Sequence, residues 1–481
     1  MARKETEAVR NVQESEVTRL LRLDKKPWYQ KPNLRSLYFC LVPAVLGVEM
    51  TSGYDGSILN DFNNPQGAVL GVLNAAFSIG AVLALPVVPY VNDRFGRKHS
   101  ITIGSVIILI GVVLQTASVH IAMFLISRLL LGMGIPFCIS GASQLIAELA
   151  HPREAGVLNG LFNESWYVGA ILAAGTTLGT FSMPNDWSWR IPSLVQIAPS
   201  LLQVTFIWFI PESPRWLLSK DRDEEAFDIL VKYHAEGNRE DPFVLAEFAE
   251  IRDRVRLEMD NSNRRWVELL QTPGNRKRTF IAACVGLFSQ WSGNGLVSYY
   301  LAKVLLTVGI SDRRTQNIIN LALSCWNLVT GVTFAFLSKR IPRRTQYLIA
   351  FGGMTAVFAV WTGVSANYAQ TGNHQAAAAV VAMIFIYYMF YTIMHPLTYI
   401  FITEVFPFVH RAKGVGLTQT FSRAGSAFNL FVNPIGLGNI GWKFYLVYVV
   451  WLAIETTIIY FVYPETQGHT LEELGDQEYD L

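Results

Sequence analysis

Long apolar stretches and short polar connections alternate along the chain. The apolar stretches fall at about 37–57, 67–91, 100–118, 121–143, 155–181, 190–210, 279–307, 316–338, 346–366, 376–401, 413–436 and 442–463. Each reaches the ~20 residues that a helix needs to cross a hydrocarbon core roughly 30 Å thick. Twelve of them, so evenly spaced, exceed what a water-soluble core would bury, and the pattern predicts twelve transmembrane helices. The stretch 218–278 breaks the rhythm. It is charged, and its runs "DEEAFDILVKYH" and "VLAEFAEIRDRVRLEM" read as short amphipathic helices. The chain thereby divides into a polar tail (1–34), a first six-helix bundle (35–217), a helical insert (218–278), a second six-helix bundle (279–465) and a second tail (466–481). The predicted class is an all-α membrane protein.

Cations set the orientation. The first tail is basic, and so are "DRFGRKH" (93–99), "HPRE" (151–154), "KRIPRR" (339–344) and "HRAK" (410–413). The alternate connections "NDFNNPQ", "ASVH", "SANYAQTGNHQ" and "NPIGLGNIG" are nearly free of them, with "SDRRTQ" (311–316) as the exception. The positive-inside bias then places both tails and the insert in the cytoplasm. Composition agrees: 51% of the 481 residues are hydrophobic and 16% charged, where a soluble chain carries about 25% charged. A net charge of +2 gives no footing for nucleic acid. Cys40, Cys138, Cys284 and Cys325 lie far apart in apolar segments, which suggests neither a disulfide framework nor a metal site. No nucleophile–base pair or phosphate-cradling loop stands out, so neither catalysis nor a cofactor is expected. The first tail lacks the apolar core of a signal peptide.

The two bundles repeat one another. "DRFGRK" (93–98) returns as "KRIPRR" 246 residues later, "ELAHPREAG" (148–156) as "EVFPFVHRAKG" (404–414), and "PESPR" (211–215) as "PETQG" (464–468). Three pairs in one order, at offsets of about 250 residues, read as a duplication. Parallel six-helix halves around a midplane site are the plan of an alternating-access transporter. At the basic face Asp93, Arg97, Glu148, Glu212, Arg215, Arg343, Glu404 and Arg411 can form ion pairs across the cytoplasmic seam that hold the outward-open state shut. The alternative is that these cations serve topology alone.

Polar faces on apolar helices mark a solute path. Gln290, Asn294 and Ser298 share one helix face, followed by Tyr299 and Tyr300. Asn159 and Asn163 precede Trp166 and Tyr167 by a turn. Ser422, Ser426, Asn429 and Asn433 form another stripe, and His395 and Tyr399 lie in the tenth segment. Amides offer donor and acceptor together, and Trp and Tyr suit the apolar faces of pyranose rings. Hydrogen bonding between helices is the competing role. Asp55 ends the first apolar run in "TSGYD", either where a helix meets water or as a working acid. Glu164 and Arg423 sit inside apolar runs, where a charge is costly. They face a central cavity, toward each other or toward a charged ligand, or Arg423 snorkels to the cytoplasmic side.

Several of these stretches resemble one family. "DRFGRK", "SRLLLGMG" (127–134), "WRIPSLVQ" (189–196), "PESPRWL" (211–217), "EVFPFVHRAKG" and "PETQGHTLEE" (464–473) are similar to the sugar porter family of the major facilitator superfamily, across essentially residues 35–475. "QWSGNGLVSYY" (290–300), "NESWYVGAILAA" (163–174) and "FNLFVNPIGLGNIGWKFY" (428–445) look most like fungal lactose and cellodextrin permeases. The resemblance implies a sugar:proton symporter embedded in the cell membrane as a monomer. It puts Asn163 at the place of a sugar-binding Gln and keeps Gln290 as the second Gln of "QQxSG". Ser289 replaces the first of that pair, Gly295 replaces a sugar-binding Asn, and Tyr399 stands where many relatives have Trp. The lost amides point to a larger ligand such as a disaccharide. The acid of "GYD" marks proton-coupled members, which assigns coupling to Asp55 with Arg128. Lys339, Pro342 and Ala155 depart from the family's gate pattern. Two other functions remain: an exporter of a small metabolite from a biosynthetic cluster, and a non-transporting sugar sensor.

Overall fold

The computed structural model describes residues 16–23, 26–55, 67–183, 185–261, 266–337, 340–406 and 408–466. A short α1 (Glu16–Leu23) precedes the first span, α2 (Pro32–Asp55). The second span is α3 (Gly67–Ala84) continued by α4 (Val88–Phe95), with a bend of 49° between them. Three unbroken spans follow: α5 (Arg97–Thr116), α6 (Ile121–Leu149) and α7 (Pro152–Thr180). α8 (Trp187–Val195) and α9 (Ile197–Ile207) make the sixth. A short α10 (Pro214–Leu218) closes the first half, and the insert holds α11 (Asp223–His234) and α12 (Pro242–Asn261). The second half runs through α13 (Pro273–Trp291) with α14 (Asn294–Leu306), then α15 (Arg313–Leu337) and α16 (Arg343–Thr371). It ends with α17 (His374–Met394) and α18 (Leu397–Val405), then α19 (Phe408–Ile440) and α20 (Phe444–Val462). Twelve spans in two sets of six result, as the hydrophobic pattern predicts.

The helices are apolar nearly all round because both of their environments are apolar. Phe39, Val113, Phe209, Val450 and Phe461 point outward, which is costly in water and favourable in lipid. Facing inward, Phe351, Phe358, Trp361, Tyr387 and Tyr445 fill the centre of the second half. Lipid gives helices no hydrophobic reason to associate, so close approach through small residues matters more. A Cβ at Gly53 would lie 1.9 Å from Trp166 O, and one at Gly169 would lie 2.0 Å from Met50 O. α2 and α7 therefore touch backbone to backbone, and any larger residue at either glycine drives them apart.

The halves meet along two seams, α3 against α19 and α7 against α15. Across the first, Ser78 Oγ lies 3.1 Å from Ser426 Oγ, and Asn74 Nδ2 donates to the Tyr300 hydroxyl at 2.7 Å.

The insert is a small core of its own. Leu230 and Val231 of α11 pack with Phe243 and Val244 of α12 and with Val17 of α1. Helix α1 arises within a stretch that the sequence presents as a polar tail, because its apolar residues find partners only in the insert. Polar contacts add to the packing of Ile229 and Tyr233 in tying the insert to the first half. Glu236, in a left-handed backbone (φ +52°), accepts from Asn33 N and Leu34 N at 2.9 and 3.1 Å. Its carboxylate satisfies the free amides at the start of α2 and complements that helix's positive end. His234 Nδ1 lies 2.8 Å from Glu247 Oε2, and its Nε2 lies 3.3 Å from Leu149 O. Both neighbours only accept, so the doubly protonated ring fits best.

Burial opposes that charge, as does Lys31, yet Glu247 and the Leu149 carbonyl outweigh them and His234 titrates above its ordinary 6.5. A raised value makes this contact's contribution complete below 6.5 and removes it as pH climbs through the raised value. Amide exchange across residues 223–261, corrected for its intrinsic pH dependence, should therefore quicken from about pH 6 to about pH 8. His234→Gln should show the faster rate at both. Equal protection of the parent at the two pH values would contradict this role.

Candidate functional site

The seventh span is interrupted where its polar residues lie. Gly293 takes φ +103°, a left-handed backbone that strains any side chain, and α14 restarts at Asn294. A break inside a span frees carbonyls that hydrocarbon cannot satisfy. Neighbouring helices satisfy them here. The hydroxyls of Tyr391, Tyr387 and Tyr388 donate to the carbonyls of Ser289, Ser292 and Asn294 at 3.3, 3.1 and 3.4 Å. Asn429 Nδ2 donates to Gln290 O at 2.7 Å. The sequence reading passed over these tyrosines, although "YYMFY" (387–391) places three hydroxyls in an otherwise apolar stretch.

The expected polar face assembles around this break. Gln290, Asn294, Ser298 and Tyr299 are half-buried. Gln290 Nε2 donates to Ser422 Oγ at 3.2 Å, Asn294 Nδ2 to the Tyr391 hydroxyl at 2.8 Å, and Ser298 Oγ pairs with the Tyr388 hydroxyl at 2.5 Å. From the first half, α7 brings Asn163 and Trp166, also half-buried. The Trp166 ring meets Tyr167 edge-on at 5.2 Å. Tyr300, Asn429 and Asn433 are buried and join helices to one another. The Tyr300 hydroxyl donates to Leu430 O at 2.6 Å, and the Tyr448 hydroxyl bridges Oδ1 of Asn429 and Asn433 at 2.8 and 2.5 Å. The side chains of Asp55, Tyr399 and Arg411 lie outside the described residues. Arg128 is buried, with its guanidinium 5.2 Å from the centre of the Phe77 ring.

On the insert side the duplication becomes two copies of one clamp. In the first half, Glu212 accepts from Arg97 N and Lys98 N at 3.1 and 3.2 Å, capping α5. The Arg97 guanidinium meets both oxygens of Glu148 at 3.1 and 3.2 Å, and Ser213 Oγ bonds Glu148 as well. In the second half, Glu465 accepts from Arg343 N and Arg344 N at 2.7 and 3.0 Å, capping α16. Arg343 meets Glu404 at 3.3 Å, and Thr466 Oγ1 donates to Glu404 at 2.6 Å. These pairs lie within their own halves, not across the seam. Burial pushes Glu212 above its ordinary carboxylate value against the pull of three backbone amides. Asp93, at the end of α4, lies beside this clamp, its carbonyl accepting from Trp216 Nε1 at 3.1 Å. Arg215 begins α10 beside this clamp. Sequence reasoning named the guanidinium–carboxylate partners and missed Ser213, Glu465 and Thr466, which the repeated "PES" and "PET" carry.

Nearer the middle of the spans, Glu164 Oε1 lies 3.6 Å from His395 Nδ1. The His395 ring sits 5.9 Å from Tyr167 and 6.1 Å from Tyr391. Glu49 of α2 faces Arg423 and His395 electrostatically. Glu49 is an acid inside the first apolar run that the sequence reading overlooked in favour of Asp55.

A family described as "Sugar (and other) transporter" matches residues 44–477. The chain belongs to this family. Relatives of this family member include a high-affinity glucose transporter of Kluyveromyces lactis, 28% identical over 94% of the chain and 87% of that protein. The MFS-type transporter oryC of Aspergillus oryzae is 30% identical over 85% of the chain and 76% of its own length. The inward-open xylose transporter XylE of Escherichia coli superposes with a TM-score of 0.75 at 21% identity, covering 92% of the chain and 99% of XylE. The fold is therefore that of the major facilitator superfamily, and the chain is a membrane transporter rather than an enzyme.

The break and its caps make separable predictions for this transporter. Tyr387→Phe leaves Ser292 O without its donor, and an unsatisfied buried acceptor costs on the order of 1–3 kcal/mol. It should lower the melting temperature with little change in solute affinity. Tyr391→Phe also releases Asn294 Nδ2, and should alter the apparent transport constant besides. Identical thermal melts and transport for both variants and the parent would show that the hydroxyls do not support the break.

Proposed function

We propose that the chain imports a sugar, a hexose or disaccharide, together with protons, by alternating exposure of the space between its halves. The observation that carries this reading is the half-buried set Gln290, Asn294, Ser298, Asn163 and Trp166 around the broken seventh span. Amides and hydroxyls beside aromatic faces suit a ring with many hydroxyl groups. The names of two relatives fit: one is a glucose transporter and one neighbour in fold is described as a proton:xylose symporter. Proton coupling is assigned to Asp55 with Arg128 on the resemblance of "GYD" to proton-coupled members of the family; in such a pair burial would favour the neutral acid and a guanidinium the charged one. A carboxylate balanced between them loads on one side and releases on the other. The clamps of Arg97, Glu148 and Glu212, and of Arg343 and Glu404, keep each half rigid while it moves. The cation bias places both tails and the insert in the cytoplasm, and the membrane assigned is the plasma membrane. The same proposal divides the chain at residues 34, 217, 278 and 465, and has it work as a monomer.

Uptake of labelled D-glucose, D-xylose, lactose and cellobiose into a host lacking its own sugar carriers tests this directly. At least one sugar should accumulate against its gradient while the medium turns alkaline. Asp55→Asn should abolish accumulation and alkalinisation and still exchange the same sugar across an equilibrated membrane. Efflux without uptake would favour an exporter, and an Asp55→Asn variant that concentrates sugar would remove Asp55 from coupling.

A further inference from the structure

Among the charged side chains within the spans, four are set against one another across the halves by sign. Glu49 on α2 and Glu164 on α7 belong to the first half, and His395 and Arg423 belong to the second. Glu164 is 2% exposed, and neither of its oxygens has a hydrogen-bond partner in this structure. It lies in the α7–α15 seam, where Gly331 leaves it room: a Cβ there would stand 2.1 Å from Glu164 Oε2. His395 Nδ1 is 3.6 Å away and likewise lacks a hydrogen bond. The phenols Tyr167 and Tyr391 flank the His395 ring, and Glu49 lies within electrostatic reach of His395 and of Arg423. With both acids ionised and a proton on His395 the four charges sum to zero. Without it, one negative charge stands uncompensated among apolar helices, which is expensive.

We propose that Glu49, Glu164, His395 and Arg423 form a proton-binding site at the seam, with the proton held between Glu164 and His395. The site is distinct from Asp55 and Arg128. It binds a proton when the halves approach as they do here and gives it up when they part and water reaches His395. The transfer is a simple one: the Nδ1–H proton leaves to water and the imidazole becomes neutral. Closure of this seam and protonation are thereby linked. The inference rests on the reading of the chain as a transporter with two moving halves, and it needs no identified sugar.

The test measures that linkage in the full chain, purified and reconstituted in lipid vesicles without solute. Spin labels at Phe95→Cys and Arg340→Cys, both exposed, report the separation of the halves on the insert side, with Cys40 and Cys325 changed to Ser. The population matching the separation in this structure should fall as pH rises, by at most about tenfold per pH unit for one linked proton. His395→Gln and Glu164→Gln should each flatten that dependence, and Asp55→Asn should keep it. Using both variants guards against misfolding of one, since the label distances themselves report a folded pair of halves. A pH response unchanged in His395→Gln and Glu164→Gln would overturn the site, as would a parent with no response. If Asp55→Asn alone flattens the response, coupling by Asp55 stands and this second site falls.

Discussion

Hydrocarbon offers a backbone amide or carbonyl no partner, so each must be satisfied within the protein. An unbroken helix meets that constraint by itself, and a broken one meets it only with help from its neighbours. The second, sixth, seventh and tenth spans are interrupted, and the seventh shows how the help is arranged. Three tyrosine hydroxyls from α17 and one amide from α19 take up the carbonyls released around Gly293. The polar groups gathered to repair the break then supply the polar surface that a hydroxylated solute needs. Structural repair here uses the same chemistry that the proposed solute binding would use, with buried Asn429 and half-buried Asn294 both bonded around the break.

A second constraint acts on the insert side. Helices that start at the membrane surface expose unpaired amides and a positive dipole end. Glu212, Glu465 and Glu236 each place a carboxylate on the first amides of a span, at α5, α16 and α2. Arg97–Glu148 and Arg343–Glu404 then fasten those capped helices to others of the same half. The clamps close within each half, and rigid halves are what rocking requires.

Much of this was legible in the sequence. Apolar run length gave the twelve spans, and the repeat of "DRFGRK", "EL" and "PES" gave the two halves and most of the clamp. Amphipathic spacing located α11 and α12. What was missed has a common physical cause: function there depends on contacts between segments remote in the chain. The hydroxyls of Tyr387, Tyr388 and Tyr391 matter only because α17 passes beside the break. Glu49 gains a role only opposite Arg423 and His395, and α1 is a helix only against the insert. Gly96 and Pro342 show the reverse case, a departure in sequence without a change of plan. Glu212 presses close enough to Gly96 that a Cβ would lie 2.4 Å from its carboxylate, and the second clamp forms with proline at that place.

The account depends above all on the two halves separating along the α3–α19 seam during each transport cycle. Cysteines at Ser78 and Ser426, whose hydroxyls lie 3.1 Å apart, would span that seam and can be joined by oxidation and released by reduction. With the disulfide closed, uptake of the transported sugar should stop, and reductant should restore it to the rate of the unlinked variant. A fully cross-linked protein that carries sugar at the unlinked rate would contradict the account.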